Sequence, residues 1–274
     1  MTGSSATFHD FEHTGWEKAA AQYDRHFGEL TAQSIEPLLD AVGANPGVRL
    51  LDIASGPGHA AAAASRRGCS VIGIDFSSEM VALASRLYPA IEFRLGDAEQ
   101  LDLPDHSMNG AVMNYGMLHL ANPERAIAEA FRVLEPGGRY AFTVWDVPER
   151  ATGFGIILQS IQKHGNMDVG LPAGPPFFRF SDLEESKRTL MAAGFMNVQT
   201  LQIPQIWSVE SGEELLTAFR TAAVRTAALL NHQTENASKK IREEVIVAAE
   251  RYRRGKSIDL PMPAVLTSAL RPAT

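Results

Sequence analysis

Strand-like and helix-like stretches alternate along the first half of the chain. Val48–Ile53, Val71–Asp75 and Gly110–Met113 are short apolar-rich runs that break off at turn residues, the pattern of strands buried in a sheet. Ile91–Leu95 and Arg139–Trp145 predict two more. Between them the apolar spacing changes to three and four. Ile35, Leu38, Leu39 and Val42 share one face of a helix predicted over Thr31–Val42, and Pro123–Leu134 is amphipathic in the same way. Gly43 and Asn45-Pro46-Gly47 stop the first of these helices, and Glu135-Pro136-Gly137-Gly138 stops the second. Before the first strand, Phe8–Leu39 carries Phe8, Phe11, Trp16, Tyr23 and Phe27 among polar neighbours, an aromatic-rich helical lead-in.

Beyond Asp146 the pattern loosens. Phe154–His164 predicts a helix, and Gly170–Phe180 a loop rich in proline and phenylalanine. Ser181 and Glu184 have capping-box spacing and open a helix that ends at Gly194. Asn197–Trp207 and Ile258–Leu270 predict late strands, with helices over Gly212–Leu230 and Ala237–Arg253 between them. The expected organisation is a helical lid over residues 1–44, a core over 45–146, and cap insertions with the last two strands over 147–274.

The chemistry is densest where the first strand ends. Asp52-Ile53-Ala54-Ser55-Gly56-Pro57-Gly58 runs from a strand through a tight turn into the alanine-rich segment Ala60–Ala64. Glycine at 56 and 58 lets a ligand approach the backbone, since neither residue carries a Cβ and both tolerate positive φ. Gly56-x-Gly58-x-x-Ala61 also fits a loose dinucleotide-binding pattern. Asp52 separates the two readings. A carboxylate there suits a ligand with positive charge and is an awkward neighbour for a pyrophosphate.

Composition narrows the class. Hydrophobic residues at 45% and charged residues at 21% are globular usage, so disorder is not expected. A net charge of −7 argues against a nucleic-acid backbone as partner and for a small-molecule substrate. The single Cys69 permits no intramolecular disulfide, and the histidines lack metal-ligand spacing, so no metal site is expected. No apolar run approaches the ~20 residues that span a bilayer, and the polar start Met1–Ala6 lacks the regions of a secretory signal. A soluble, cytoplasmic protein is expected, with its oligomeric state open.

From about residue 45 to residue 146 the ordered motifs resemble the class I S-adenosylmethionine-dependent methyltransferases, most closely the group containing quinone and sterol C-methyltransferases. Their first motif is an acidic residue followed by Gly-x-Gly-x-Gly, with Ala54 standing here at the first glycine. The resemblance implies an α/β fold: a doubly wound, seven-stranded, mostly parallel Rossmann-like sheet with an antiparallel last strand and helical cap insertions. It implies S-adenosyl-L-methionine as cofactor and S-adenosyl-L-homocysteine as product. By the same resemblance Asp52, Ala54, Gly56 and Gly58 line the methionine and sulfonium region, and Asp75 holds the ribose. Phe76 and Met80 flank the adenine, Asp97 accepts from its amino group, and the Ala98 N–H points toward the ring. Asp75 also follows Asp52 by 23 residues, near the ~20 at which an acidic residue reaches a ribose in doubly wound folds. A capping role for Asp75 and a core role for Met80 stay open.

Asn114 at the cofactor and Tyr115 beside it are expected nearest the reacting methyl, at the carboxyl end of the sheet. Trp145, Phe177 and Phe178 join Tyr115 as substrate-facing residues, with ordinary packing as the competing role for the phenylalanines. Trp16 and Tyr23 either close the site or pack their helix, and Arg179 pairs with a substrate anion or with a nearby carboxylate. Methyl transfer to O, N, S or C by direct displacement needs a base only when the acceptor is a hydroxyl or acidic carbon. His119, Tyr23 and His164 are the candidates. An NAD-dependent oxidoreductase and a non-catalytic cofactor-binding module are the competing functions.

Overall fold

The computed structural model describes residues 7–273; the polar start considered above, residues 1–6, lies outside them. The chain begins with α1 (Phe8–Ala32), α2 (Ile35–Ala41), β1 (Arg49–Ile53), α3 (His59–Arg66), β2 (Ser70–Asp75), α4 (Ser78–Leu87) and β3 (Glu92–Leu95). It continues through β4 (Met108–Asn114), α5 (Pro123–Val133), β5 (Leu134–Trp145), α6 (Thr152–His164), α7 (Leu183–Ala192) and β6 (Met196–Ile203). The last elements are β7 (Ile206–Val209), α8 (Gly212–Ala222), α9 (Val224–Asn231), α10 (Glu235–Glu250), β8 (Arg253–Arg254), β9 (Ser257–Pro261) and β10 (Ala264–Leu270).

Two compact units form. One takes Thr31–Trp145, Gly174–Ile203 and the chain from Ala264 onward; the other takes the chain up to Leu30, Asp146–Ala173 and Pro204–Pro263. The contacts thus divide the chain at Leu30, Trp145, Ala173, Ile203 and Pro263, whereas the sequence reading expects divisions at residues 44 and 146.

The first unit is built on a seven-stranded sheet in the order β3-β2-β1-β4-β5-β10-β6. β1 runs parallel to β2 on one side and to β4 on the other, with Asp52 opposite Gly73 and Val112. β10 is antiparallel to both β5 and β6, so the mostly parallel doubly wound sheet with an antiparallel closing strand is the observed one. β1 lies inside: Leu50, Leu51 and Ile53 are fully buried. All five alanines of Ala60–Ala64 are buried too, their small side chains letting α3 lie close on β1 and β2. Local side chains cap the starts of two helices. The Ser77 hydroxyl accepts from the Met80 N–H at the start of α4, and Asn122 caps α5 with Pro123 at its first turn.

Several boundaries differ from the sequence reading, and the helix expected over 212–230 is two, α8 and α9. The strands expected over 197–207 and 258–270 are each broken by proline, which lacks an N–H for the ladder. Pro204 separates β6 from β7, and the Pro261-Met262-Pro263 run separates β9 from β10. Only β6 and β10 enter the large sheet. The cap of α7 is Asp182, whose carboxylate accepts from the Glu184 and Glu185 N–H groups. Ser181 instead donates to the Trp145 carbonyl. β5 begins before the glycine turn rather than after it: its register against β4 slips between the Met108–Leu134 and Gly110–Arg139 pairs, and Glu135–Gly138 bulge out with Gly137 at φ +83°.

The second unit contains most of α1, together with α6, α8, α9, α10 and the small antiparallel sheet β7-β9-β8. Its core is aromatic. Phe27 lies 4.8 Å from Trp207 and 5.7 Å from Phe219 between ring centroids, and Phe154 lies 4.9 Å from Phe219. Tyr23 stacks on Phe27 at 5.8 Å and meets the edge of buried Trp16 at 5.2 Å. The buried Glu12 carboxylate pairs with Arg225 at 2.9 Å. Among the described residues no helix is long and apolar enough to cross a membrane.

Candidate active site

In the first unit the chain order reverses between β1 and β4, and ligands of open α/β sheets bind in the crevice at such a switch point. The two strands end alike. Ala54 after β1 and Tyr115 after β4 both adopt left-handed backbone, at φ 53° and 60°. They are in close contact through Gly116, where an added Cβ would lie 2.6 Å from that of Ala54. A side chain at 116 would therefore wedge the two turns apart.

The loop after β1 is fastened to β2. The Ser55 N–H donates to the Ile74 carbonyl at 3.0 Å, and the Gly56 N–H donates to Asp75 Oδ2 at 2.8 Å. The other Asp75 oxygen accepts the Ser77 N–H at 2.9 Å. Asp75, assigned above to a ribose, thus also shapes the loop and the start of α4. The glycines serve different ends. Gly58, at φ +84°, is covered by Phe93, whose ring atoms would meet a Cβ at 2.6 and 2.8 Å; the same ring covers Gly73. Gly56, at φ +51°, has nothing within 4 Å of where its Cβ would be. One glycine makes room for packing and the other leaves open space at the backbone.

Asp52 lies beneath this loop and is almost wholly buried. Its Oδ2 accepts the Ala61 N–H at 2.9 Å, while its Oδ1 is buried with no hydrogen-bond partner. Burial pushes the carboxyl up to about 7; the Ala61 N–H acts against this, and the nearby Asp75 charge adds to it. The Ser55 hydroxyl is a second buried oxygen without a partner in the same loop. Unsatisfied buried polar atoms are uncommon, and these lie in the expected ligand turn.

Farther along the sheet, Asp97 Oδ1 accepts the Glu99 N–H at 2.8 Å, with Ala98 buried behind it. Phe76 is half-buried after β2, and Met80 is buried in the first turn of α4. At the end of β4 the Asn114 side chain is engaged with protein: Nδ2 donates to the Thr31 carbonyl at 3.1 Å, and Oδ1 accepts the Thr143 hydroxyl at 2.6 Å. Ser34 Oγ lies 2.9 Å from the same Oδ1. These bonds tie the end of β4 to the α1–α2 turn and to β5. Tyr115 and Trp145 are both buried, their ring centroids 4.1 Å apart. His119 ends a short 3₁₀ turn over Met117–His119 and meets Phe177 edge-on at 5.9 Å, with Phe178 at 4.9 Å from Phe177.

The remaining candidates have other partners. His164, in the second unit, lies with Nε2 3.2 Å from Glu244, which also pairs with Lys163 at 2.7 Å. Glu244 thus takes both cations of the last turn of α6. Arg179 pairs with Glu124 and Glu185 rather than standing free for a substrate anion. Among the described residues no cluster of histidine, cysteine and carboxylate side chains suits a metal ion. Phe93, Thr143, Ser34 and Gly116 shape the site without having been singled out from sequence. Only Gly116, following a strand end, carries a local signal.

Residues 51–142 match the family model described as a methyltransferase domain. The chain is 36% identical over 111 residues to a demethylmenaquinone methyltransferase of Renibacterium salmoninarum, covering 40% of this chain and 47% of the relative. It is 35% identical over 125 residues to a malonyl-[acyl-carrier protein] O-methyltransferase of Pectobacterium atrosepticum, covering 46% and 49%. The chain spans about half the length of the curated relatives it matches. Among solved structures it is similar to the [4+2]-cyclase SpnF, with a TM-score of 0.65, 19% identity and 98% of each chain covered, a likeness of fold. Over residues 51–142, from β1 to β5, the chain thus carries a stretch that matches a methyltransferase domain.

Proposed function

We propose that the protein binds S-adenosyl-L-methionine at the β1–β2 end of the switch point and transfers its methyl group to a small-molecule acceptor by direct displacement. The observation that carries this reading is the unpartnered, buried Oδ1 of Asp52 beneath the open backbone at Gly56. A cationic ligand satisfies that oxygen. A dinucleotide does not: its pyrophosphate needs the free N–H groups at the helix start, and here the Ala61 N–H is already bonded to Asp52. The methyltransferase-domain match over the same loop supports the cofactor choice against NAD.

The bound cofactor supplies an electrophilic methyl group, so the reaction needs no covalent enzyme intermediate. The chain's own part is alignment and exclusion of water. Asp52 faces the positive end of the ligand. Asp75 adds ribose hydroxyls to the backbone N–H groups it already accepts, and Asp97 accepts from the adenine amino group beside Ala98, Phe76 and Met80. Tyr115 and Trp145, with Phe177 and Phe178, form apolar and aromatic walls suited to a planar or apolar acceptor. If the acceptor is a hydroxyl or an acidic carbon, His119 is the base, since it is half-buried among these aromatic side chains. The quinone named for the Renibacterium relative is one acceptor of this shape. A cytoplasmic location goes with the reading, Cys69 being buried and unpaired.

Calorimetric titration with S-adenosyl-L-methionine, S-adenosyl-L-homocysteine and NADH tests the cofactor, and labelled methyl transfer to a panel of quinols, phenols, amines and thiols tests the reaction. Binding of the first two ligands and transfer to a ring acceptor are expected. NADH binding alone overturns the assignment; tight cofactor binding without transfer to any acceptor class points to a non-transfer use of the fold.

A further inference from the structure

We propose that Asp52 holds a proton in the cofactor-free protein and releases it to solvent when the cationic cofactor binds, so that the site selects ligands by charge. The inference rests on the cofactor reading above and concerns the control of that same site. Its geometric basis is the contrast between two neighbouring carboxyl groups. Asp75 has an N–H donor on each oxygen, from Gly56 and Ser77. Asp52 has one donor, from Ala61, and an orphan oxygen.

The charges around Asp52 do not compensate it. β2 contributes Asp75, a like charge, and β4, running from Met108 to Asn114, carries no ionisable side chain. On β1 itself Arg49 stands at the far end and pairs with Glu135. α3 carries His59 at its first position, with Nδ1 bonded to the Tyr88 hydroxyl at 2.8 Å, and Arg66 in its last turn. The rise of an α-helix puts that arginine roughly 10 Å along the axis from the helix start. A buried carboxyl beside a like charge and without a cation favours its neutral form. Burial accordingly pushes the group up to about 7. An arriving ammonium and sulfonium reverse the balance: the O–H bond of Asp52 breaks, the proton goes to buffer, and a carboxylate faces the cation. S-adenosyl-L-homocysteine keeps the ammonium but lacks the sulfonium, so it expels less of the proton.

The test is calorimetry of the whole chain with S-adenosyl-L-methionine between pH 6 and 7.2, in buffers of small and large ionisation enthalpy. In this range the ligand's own α-amino group, with an ordinary pKa of roughly 7.7–8.0, stays mostly charged. Release of ~0.5 proton per cofactor is expected at pH 7 and ~0.9 at pH 6, with affinity roughly fivefold weaker at pH 6 than at pH 7. S-adenosyl-L-homocysteine is expected to release fewer. An infrared difference spectrum of the wild-type protein reads the same event directly, as loss of a protonated carboxyl band on cofactor binding, and needs no variant. Binding with equal heat in both buffers and no carboxyl band change overturns the proton linkage and leaves the cofactor reading standing. No binding at any pH overturns the cofactor reading and the proposal with it.

Discussion

Replacing Asp52 by asparagine exchanges a buried ionisable group for a neutral one of nearly the same shape, and the cofactor-free protein should become more stable at neutral and alkaline pH. The folded environment raises the carboxyl from the ordinary 3.8 to about 7. The sign follows from that direction. Below pH 3.8 the group is neutral in both states and imposes no penalty; as pH rises toward 7 the unfolded chain ionises freely while the folded chain resists, and stability is lost. A rise of roughly three pH units corresponds to ~4 kcal/mol, all of it lost above pH 7. Asparagine removes this penalty. Its carbonyl can still accept the Ala61 N–H, but its amide then occupies the place of the orphan oxygen and leaves an unsatisfied donor worth about 1–3 kcal/mol. The net gain expected at pH 8 is about 1–3 kcal/mol, shrinking to nothing or reversing near pH 4. Urea or thermal melts of the two cofactor-free proteins at pH 4.5, 6, 7 and 8 measure it, a kcal/mol corresponding to ~2–4 °C for chains of about this size. A stability difference that does not change with pH, or a wild type more stable at pH 8, refutes the reasoning.

The two glycines of the loop should separate stability from binding. Gly58→Ala drives a Cβ into Phe93 on a left-handed backbone and is expected to cost about 2–4 kcal/mol in urea melts, whereas Gly56→Ala meets only backbone strain of ~1 kcal/mol but fills the open space, so its loss should appear as weaker cofactor binding in calorimetry. Asp75→Ala removes an acceptor from ribose and from the Gly56 and Ser77 N–H groups; cofactor affinity should fall by the ~1.5–3 kcal/mol of a charge-assisted bond, and unchanged affinity in a folded variant rejects the ribose assignment. With a hydroxyl or carbon acceptor, His119→Gln should lower kcat by roughly 100-fold or more while cofactor affinity stays within about twofold; an unchanged kcat removes His119 as the base.

Much of the methyltransferase core was legible because its signals are local. Strand ends, the Asp52–Gly58 turn and the alanine helix follow from side-chain period and turn chemistry over a few residues. Beyond Trp145 the reading was less sharp. There, proline decided where strands end, and the helix cap is Asp182 while Ser181 donates to the Trp145 carbonyl. Spacing shows neither which of two adjacent residues is drawn into the core nor which of several late strands completes a sheet.

The sequence by itself determined the strand, turn and helix around Asp52, since an acidic strand end followed by a glycine turn places charge and open backbone together whatever the rest of the chain does. Only the tertiary structure decided how those residues divide the work. Phe93, from a strand 35 residues later, makes Gly58 a packing glycine and leaves open space at Gly56. Thr31 and Thr143 occupy the amide of Asn114. Burial, one N–H and a neighbouring carboxylate set the charge of Asp52. Packing and electrostatics of this kind depend on atoms brought together from distant parts of the chain, and a linear pattern carries no record of those distances.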